Sequence, residues 1–309
     1  NNNLYLDVSF NDSLNNQLIH KLKHYFDFTK EPNYERYFDY AQNTLTDVSG
    51  TLPYNSYNLS HTFANNSDQE TDRKKKIRLG NILLGKENTL VFWLNIASTN
   101  KGPNNGHNNV LIDFGNTNDI NNTGLQLCLS YDWYTSGSGT EPASDGSDES
   151  EDLYFSLIIS DTSYNQALST NVWRRGVWMF MNYKVEFDKW LHVAVVLSEQ
   201  HNPKLYVNSI LYYPLYIPKP IGGSNTNIVN YVHESTQNTA LFAKQSSDTC
   251  GINGGFVRLF QIFDTTLNNE EIIHLYKYKN LSLTDNDIQD YDTSSTYIVI
   301  FEHTDDYGC

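Results

Sequence analysis

Carboxylates are the commonest reactive groups in this chain, and their spacing limits what they can do. Between Glu141 and Asp152 six acids occur (Glu141, Asp145, Asp148, Glu149, Glu151 and Asp152) with Ser and Gly between them and no Lys or Arg. Asp113, Asp119, Asp132 and Asp248 stand beside strand-like runs. Oxygen ligands gathered from loops suit a hard cation such as Ca²⁺, which takes about six to eight of them. Asp113, Asp119, Asp132, Asp145, Asp148 and Asp248 are therefore the candidate calcium ligands. The same acids serve equally well to hydrate long loops, and that reading stays open. No Cys-x-x-Cys or Gly-x-Ser-x-Gly string gives transition-metal or serine-hydrolase chemistry a foothold. His192 lies in a strand-like run where Trp190, Ala194 and Val196 share its face, which predicts a structural, hydrogen-bonded imidazole rather than a catalytic one.

Binding chemistry has better material. Arg73-Lys74-Lys75-Lys76-Ile77-Arg78 puts five cations within six residues on an acidic molecule. Arg174 and Arg175 would extend this patch if folding brought them near, and each exposed contact to an anionic partner would weaken with salt. The run also reads as a solubilising loop beside a strand. Trp133 and Tyr134 follow Tyr131 at a strand end, and Tyr212, Tyr213 and Tyr216 sit among prolines. Tyr and Trp make good interface anchors because they offer large contact area at small entropic cost. They also serve to cover core edges.

The net charge of −15 makes a phosphate backbone a poor partner, so nucleic acid is excluded as an expectation. No run of about 18 apolar residues is present, so this stretch contains no transmembrane helix. The chain begins at Asn1 and stops at Cys309, straight after the strand-like 297–301, and is expected to be a processed piece of something longer. Three cysteines (Cys128, Cys250 and Cys309) are too few for a disulfide scaffold. A Cys128–Cys250 bridge is preferred because both fall in or beside core-like strands, leaving Cys309 for a partner elsewhere. Glycosylation triplets begin at Asn11, Asn58, Asn65, Asn121 and Asn280. Together these predict a secreted or cell-surface glycoprotein, and the Asn and Tyr bias suggests a parasite surface.

The elements that would position these groups are almost all strands. Period-two or continuous apolar runs occupy 4–10, 89–96, 109–114, 124–130, 153–159, 177–181, 190–197, 204–207, 210–216, 239–243 and 255–263, mostly bounded by turn-forming residues. In 89–96, Leu90, Phe92 and Leu94 face one way and Val91, Trp93 and Asn95 the other. Both sets are apolar enough to predict cover on both faces, as in the middle of a two-sheet sandwich. The one convincing helix signal is 267–276, with Ile272, Leu275 and Tyr276 on one face, Asn268 or Asn269 as cap, and Glu270 and Glu271 in the first turn. Segments near 20–45, 141–152 and 214–230 read as insertions, the last as extended loop rather than ladder. Residues 281–309 read as an acidic linker and one strand, either an edge strand or the start of a following domain.

In this order the fragments Leu90-Val-Phe-Trp-Leu94, Phe187-Asp-Lys-Trp-Leu-His-Val-Ala-Val-Val-Leu197, Lys204-Leu-Tyr-Val-Asn-Ser-Ile-Leu211 and the stretch from Phe256 to Ile272 resemble the concanavalin-A-like superfamily, specifically its laminin-G-like and pentraxin-like jelly rolls. The hairpin carries Asn208-Ser209 where that family has an Asn-Gly-like turn, a less favourable pair for a primed turn. The resemblance implies an all-β, two-sheet antiparallel jelly-roll sandwich over residues 1–280 with long insertions and one short helix in the C-terminal region. It also implies Ca²⁺ at a sandwich rim and a basic patch that meets sulphated glycans. The β-glucanase branch resembles a Glu-x-Asp-x-x-Glu strand, whereas Glu186-Phe-Asp188-Lys-Trp190-Leu191 lacks the third carboxylate, so a polysaccharide-cleaving enzyme is the least favoured reading. The leading expectation is a non-enzymatic recognition or adhesion module for a glycan or protein partner. A structural scaffold subunit of a surface complex is the rival.

Overall fold

Strand β7 (Glu87–Ile96) shows why this sequence needs two layers, because it is buried along nearly its whole length on both faces. Leu90, Phe92, Leu94 and Ile96 point into one apolar cluster, Val91 into a second and Trp93 into a third. The computed structural model describes residues 12–28, 36–39, 41, 44–47, 54–55, 60–62, 77–98, 109–114, 124–131, 152–165, 170–219, 238–241 and 254–277.

Sheet 1 is built around β7. On one side lie β12 (Trp190–Ser198), β13 (Lys204–Val207) and β14 (Ile210–Tyr212). On the other lie β17 (Gly255–Phe263), β1 (Leu22–Asp27), β2 (Arg36–Asp39) and β3 (Thr44–Asp47), while β5 (Ser60–Thr62) joins β17 and β4 (Tyr54–Asn55). Sheet 2 runs β15 (Leu215–Lys219), β11 (Thr170–Lys184), β10 (Leu153–Asn165), β9 (Gly124–Tyr131), β8 (Asn109–Asp113), β16 (Asn238–Leu241) and β6 (Ile77–Asn81). Neighbours pair antiparallel throughout, and the two layers form a jelly-roll-like sandwich.

The inner faces follow the period-two pattern. Leu191, Val193, Val195 and Leu197 of β12, and Val257, Phe260 and Ile262 of β17, meet Leu125, Leu127 and Leu129 of β9 and Phe155, Leu157 and Trp178 of β10 and β11. Each such side chain contributes roughly 1.5–3 kcal/mol on full burial, so the many in this layer dominate stability. The outer face of sheet 1 is covered by two helices, α1 (Asp12–Lys21) and α2 (Asn269–Lys277). Leu18 of α1 and Ile272 and Leu275 of α2 pack on Val91, Ala194, Val196, Tyr206 and Phe263.

Helix α2 stands where the sequence places it, and Asn268 is its cap. The Glu271 N–H donates to Asn268 Oδ1 (3.0 Å) and the Asn268 N–H donates to Glu271 Oε2 (2.8 Å), a reciprocal capping box. Thr89, fully buried in β7, accepts from the Leu267 N–H (2.9 Å) and donates to the Thr265 carbonyl (2.9 Å), which fixes the approach to the helix. Glu271 is itself buried, and Lys21 of α1 donates to its Oε1.

Several expectations are corrected. The described residues between 20 and 47 finish α1 and supply β1, β2 and β3, with β1 paired along β17. Helix α1 carries two Asn and a Ser in ten residues, all poor helix formers, so packing of Leu14, Leu18 and Ile19 rather than propensity makes it. Residues 215–219 form a ladder, β15, against β11, and Pro218 is tolerated because β15 is the terminal strand. The β10–β11 hairpin runs on to Asn165 and Thr170, beyond the apolar stretches that marked it. The 4–10 strand, the 281–309 segment and the 141–152 insertion short of Asp152 lie outside the described residues.

Candidate functional site

The hairpin joining β13 to β14 shapes the surface next to β12. Asn208 (φ 49°) and Ser209 (φ 67°) both adopt left-handed backbone, so the turn is of the primed kind despite lacking glycine. Asn208 Oδ1 accepts from the His192 N–H (2.9 Å), and the Asn208 N–H donates to the His192 carbonyl (2.8 Å). The turn is thereby bolted to β12.

One row across the outer face of sheet 1 reads Trp190, Asn95, Phe256, from β12, β7 and β17. The register slips between Val257 and Leu259, and this bulge re-aims Arg258. Its guanidinium carbon lies 4.1 Å from the Trp190 ring centroid, and burial pushes its pKa down. Trp190 and Phe256 are half-buried with ring centroids 6.4 Å apart. A cation and two rings sharing one surface can hold a partner that is part apolar and part polar.

Behind this row the side chains are buried. His192 is fully buried, and neither ring nitrogen has a hydrogen-bond partner. Trp93 and Tyr276 wall it at 5.1 and 5.7 Å between ring centroids. Burial alone lowers its pKa from 6.5 to about 3. His192 is thus structural in its packing, but the ring is not hydrogen-bonded as the sequence pattern suggested. The ring meets the aromatic side chains of Trp93 and Tyr276 where a polar partner was expected.

The second surface lies where the chain leaves sheet 1 for sheet 2. Ile210, Tyr213 and Leu215 are 59%, 62% and 52% exposed, although all lie within six residues of a continuous core. Tyr212 turns inward instead, its ring 5.1 Å from that of Tyr183. β14 and β15 are the terminal strands of their respective sheets, so this apolar corner borders both of them.

Of the candidate calcium ligands only Asp113 lies among the described residues. It is buried in β8 opposite Gln126 and Ala240. Asp119, Asp132, Asp145, Asp148 and Asp248 lie outside them, as do Arg73, Lys74, Lys75, Lys76, Trp133, Tyr134, Cys250 and the five glycosylation asparagines. Cys128 is buried in β9. Among the described residues no group of three or more His, Cys, Asp or Glu converges to hold a metal. Arg78 is in β6, at one end of sheet 2, and Arg174 and Arg175 are in β11, with β10, β9, β8 and β16 between. Five strand spacings, about 24 Å, separate the backbones of β6 and β11 along sheet 2.

The acids of the 186–190 string are engaged structurally. Glu186 accepts from Lys189 (2.7 Å), and Asp188 Oδ1 accepts from the Ser98 N–H (3.1 Å). His20 and His24, four residues apart, would share a face on a continuous helix, but α1 ends at Lys21 and His24 belongs to β1. His24 pairs with Asp39 (2.6 Å), whose other oxygen accepts from the Tyr25 and Ala41 N–H groups at 2.9 and 3.1 Å. That carboxylate closes the β1–β2 connection.

These surfaces sit on a two-sheet antiparallel jelly-roll-like sandwich. No protein-family model matches the chain, and no curated protein matches its sequence. Among solved structures the fold is similar to the botulinum neurotoxin serotype D binding domain, with a TM-score of 0.51 and 14% identity over 87% of this chain and 53% of that one. It is also similar to a structure of botulinum neurotoxin type C, a toxin whose cell entry is dependent upon interaction with two ganglioside molecules; there the TM-score is 0.50 and the identity 12%, over 86% of this chain and 53% of that one. The chain thus spans about half the length of each. At this identity the likeness is one of fold.

Proposed function

We propose that the chain is a non-enzymatic extracellular recognition or adhesion module, secreted or displayed on a cell surface, that binds a glycan or protein partner. The observation that carries this reading is the apolar corner of Ile210, Tyr213 and Leu215. Three large apolar side chains exposed within six consecutive residues, on a molecule of charge −15, supply apolar surface that a partner would cover. The Trp190–Arg258–Phe256 row gives a second contact area of mixed polarity. Likeness in fold to toxin binding domains agrees with recognition rather than turnover, and the four matching fragments favour a laminin-G-like or pentraxin-like member. In this reading Ca²⁺ would be held by Asp113, Asp119, Asp132, Asp145, Asp148 or Asp248, and anionic glycans met by Arg73 to Lys76 and Arg78, with Trp133, Tyr134, Arg174 and Arg175 as further contacts.

A glycan array read at low and moderate salt, with and without chelator, tests this beside Tyr213→Ala and Ile210→Asp. Both substitutions are at exposed sites and should change stability by no more than about 0.5 kcal/mol. Loss of a specific partner by at least one of them supports recognition through the corner. An array without signal, together with unchanged capture of a defined surface protein by both variants, would favour the scaffold reading. Turnover of any polysaccharide would overturn both.

A further inference from the structure

The geometry points to His192 as an acid-sensitive latch: an imidazole sealed without a hydrogen-bond partner between the outer face of sheet 1 and α2, whose protonation drives α2 off the sheet. The ring is 0% exposed, and Nδ1 and Nε2 are both unpartnered. Trp93 of β7 and Tyr276 of α2 stack on each other at 5.9 Å and close over it. The backbone of His192 is held on both its N–H and its carbonyl by Asn208, which anchors β12 beneath the ring. The movable wall is α2.

Among the described groups around the ring, none is an uncommitted carboxylate that would pair with an imidazolium. From α2 there is the Tyr276 ring, with Glu271 farther along already committed to Lys21 and Asn268, and His274, also buried. From β17 there is Arg258, a second cation, over Trp190, and from β1 Tyr25, which packs in the Trp93 cluster. The β13–β14 turn presents Asn208. His192 itself is influenced by burial alone.

A base whose pKa falls from 6.5 when exposed to about 3 when sealed binds protons preferentially in the open form between those values. Closure is therefore complete above about pH 6.5 and weakens as pH falls toward 3. The open population should rise about 30-fold between pH 7.5 and pH 5. Opening uncovers Val91, Ala194, Val196 and Tyr206, an apolar face that is otherwise sealed.

Hydrogen exchange of the whole chain at pH 7.5, 6 and 5, with intrinsic rates divided out, reads this directly. The expected result is a loss of protection of about 30-fold in 269–277 at pH 5 while β9 and β10 keep theirs, and a flat profile in His192→Phe. A ring-nitrogen NMR titration of the unaltered protein, which needs no variant to fold, should find His192 neutral down to at least pH 4.5. Equal protection of α2 at the three pH values would overturn the latch, as would simultaneous loss across both sheets. So would a response abolished by His274→Gln and retained in His192→Phe, or an imidazole already charged at pH 6.

Discussion

At the scale of single residues, two of the three non-glycine residues with positive φ among the described residues, Asn208 and Ser209, stand where β13 turns into β14. Ser209 holds a φ of 67°, a region that costs an L-residue about 1–2 kcal/mol and glycine almost nothing. Ser209→Gly should stabilise the fold by about 0.5 kcal/mol after the greater freedom of glycine in the unfolded chain is counted. Ser209→Val, β-branched in the same conformation, should destabilise it by more than about 1 kcal/mol. Urea midpoints of the two variants moving in the same direction would contradict this. The turn was legible because its length and Asn208 announce a hairpin; the second bond from Asn208 to β12 was not, since nothing in 204–211 says which strand lies alongside. Arg258 was hidden for a similar reason. Its aim depends on a bulge, and a bulge leaves no mark on period-two alternation.

At the scale of elements, Glu271 joins two helices whose positions are 250 residues apart in sequence. It receives the Asn268 N–H on one oxygen and Lys21 on the other, in a buried setting. Glu271→Ala removes both and should cost about 2–3 kcal/mol, whereas Glu271→Gln keeps an acceptor for the cap and should cost about 1 kcal/mol. The value is held down by the Lys21 side chain being 34% exposed, where water screens the pair. Equilibrium denaturation checks the order; Gln costing as much as Ala would show that the ion pair rather than the cap dominates. Helix α2 could be read in advance because cap, acidic first turn and apolar stripe agree. Helix α1 could not, because Asn15 and Asn16 speak against a helix and only the sheet beneath supplies its reason to form. Strand β1 was obscured in the same way by its mixed composition, Leu-Lys-His-Tyr-Phe-Asp, although Tyr25 and Phe26 are both buried.

For the whole molecule, cohesion comes from the layer between the sheets. Phe260 is 1% exposed, with the rings of Phe26 and Phe92 at 6.2 and 6.3 Å. Phe260→Ala should cost about 3–5 kcal/mol, read as a lowered denaturation midpoint, and a loss below about 1 kcal/mol would mean the layer collapses around the gap. This architecture was the most legible part of the sequence, since Leu90, Phe92, Leu94 and the odd-numbered residues of β12 repeat every second position with little exception. The candidate surfaces were less so. Exposure at Ile210, Tyr213 and Leu215 depends on a change of sheets that local pattern does not encode, and neighbouring Tyr212 points inward instead.

The place of β17 between β7 and β1 matters most while the chain is being made. On the ribosome β7 and β1 emerge long before residues 255–263, and until those arrive each offers an open flank of backbone amides and carbonyls beside large apolar side chains. Nascent chains stalled short of residue 255 should accordingly associate with one another, and release of β17 should turn a sticky intermediate into a closed one in a single late step.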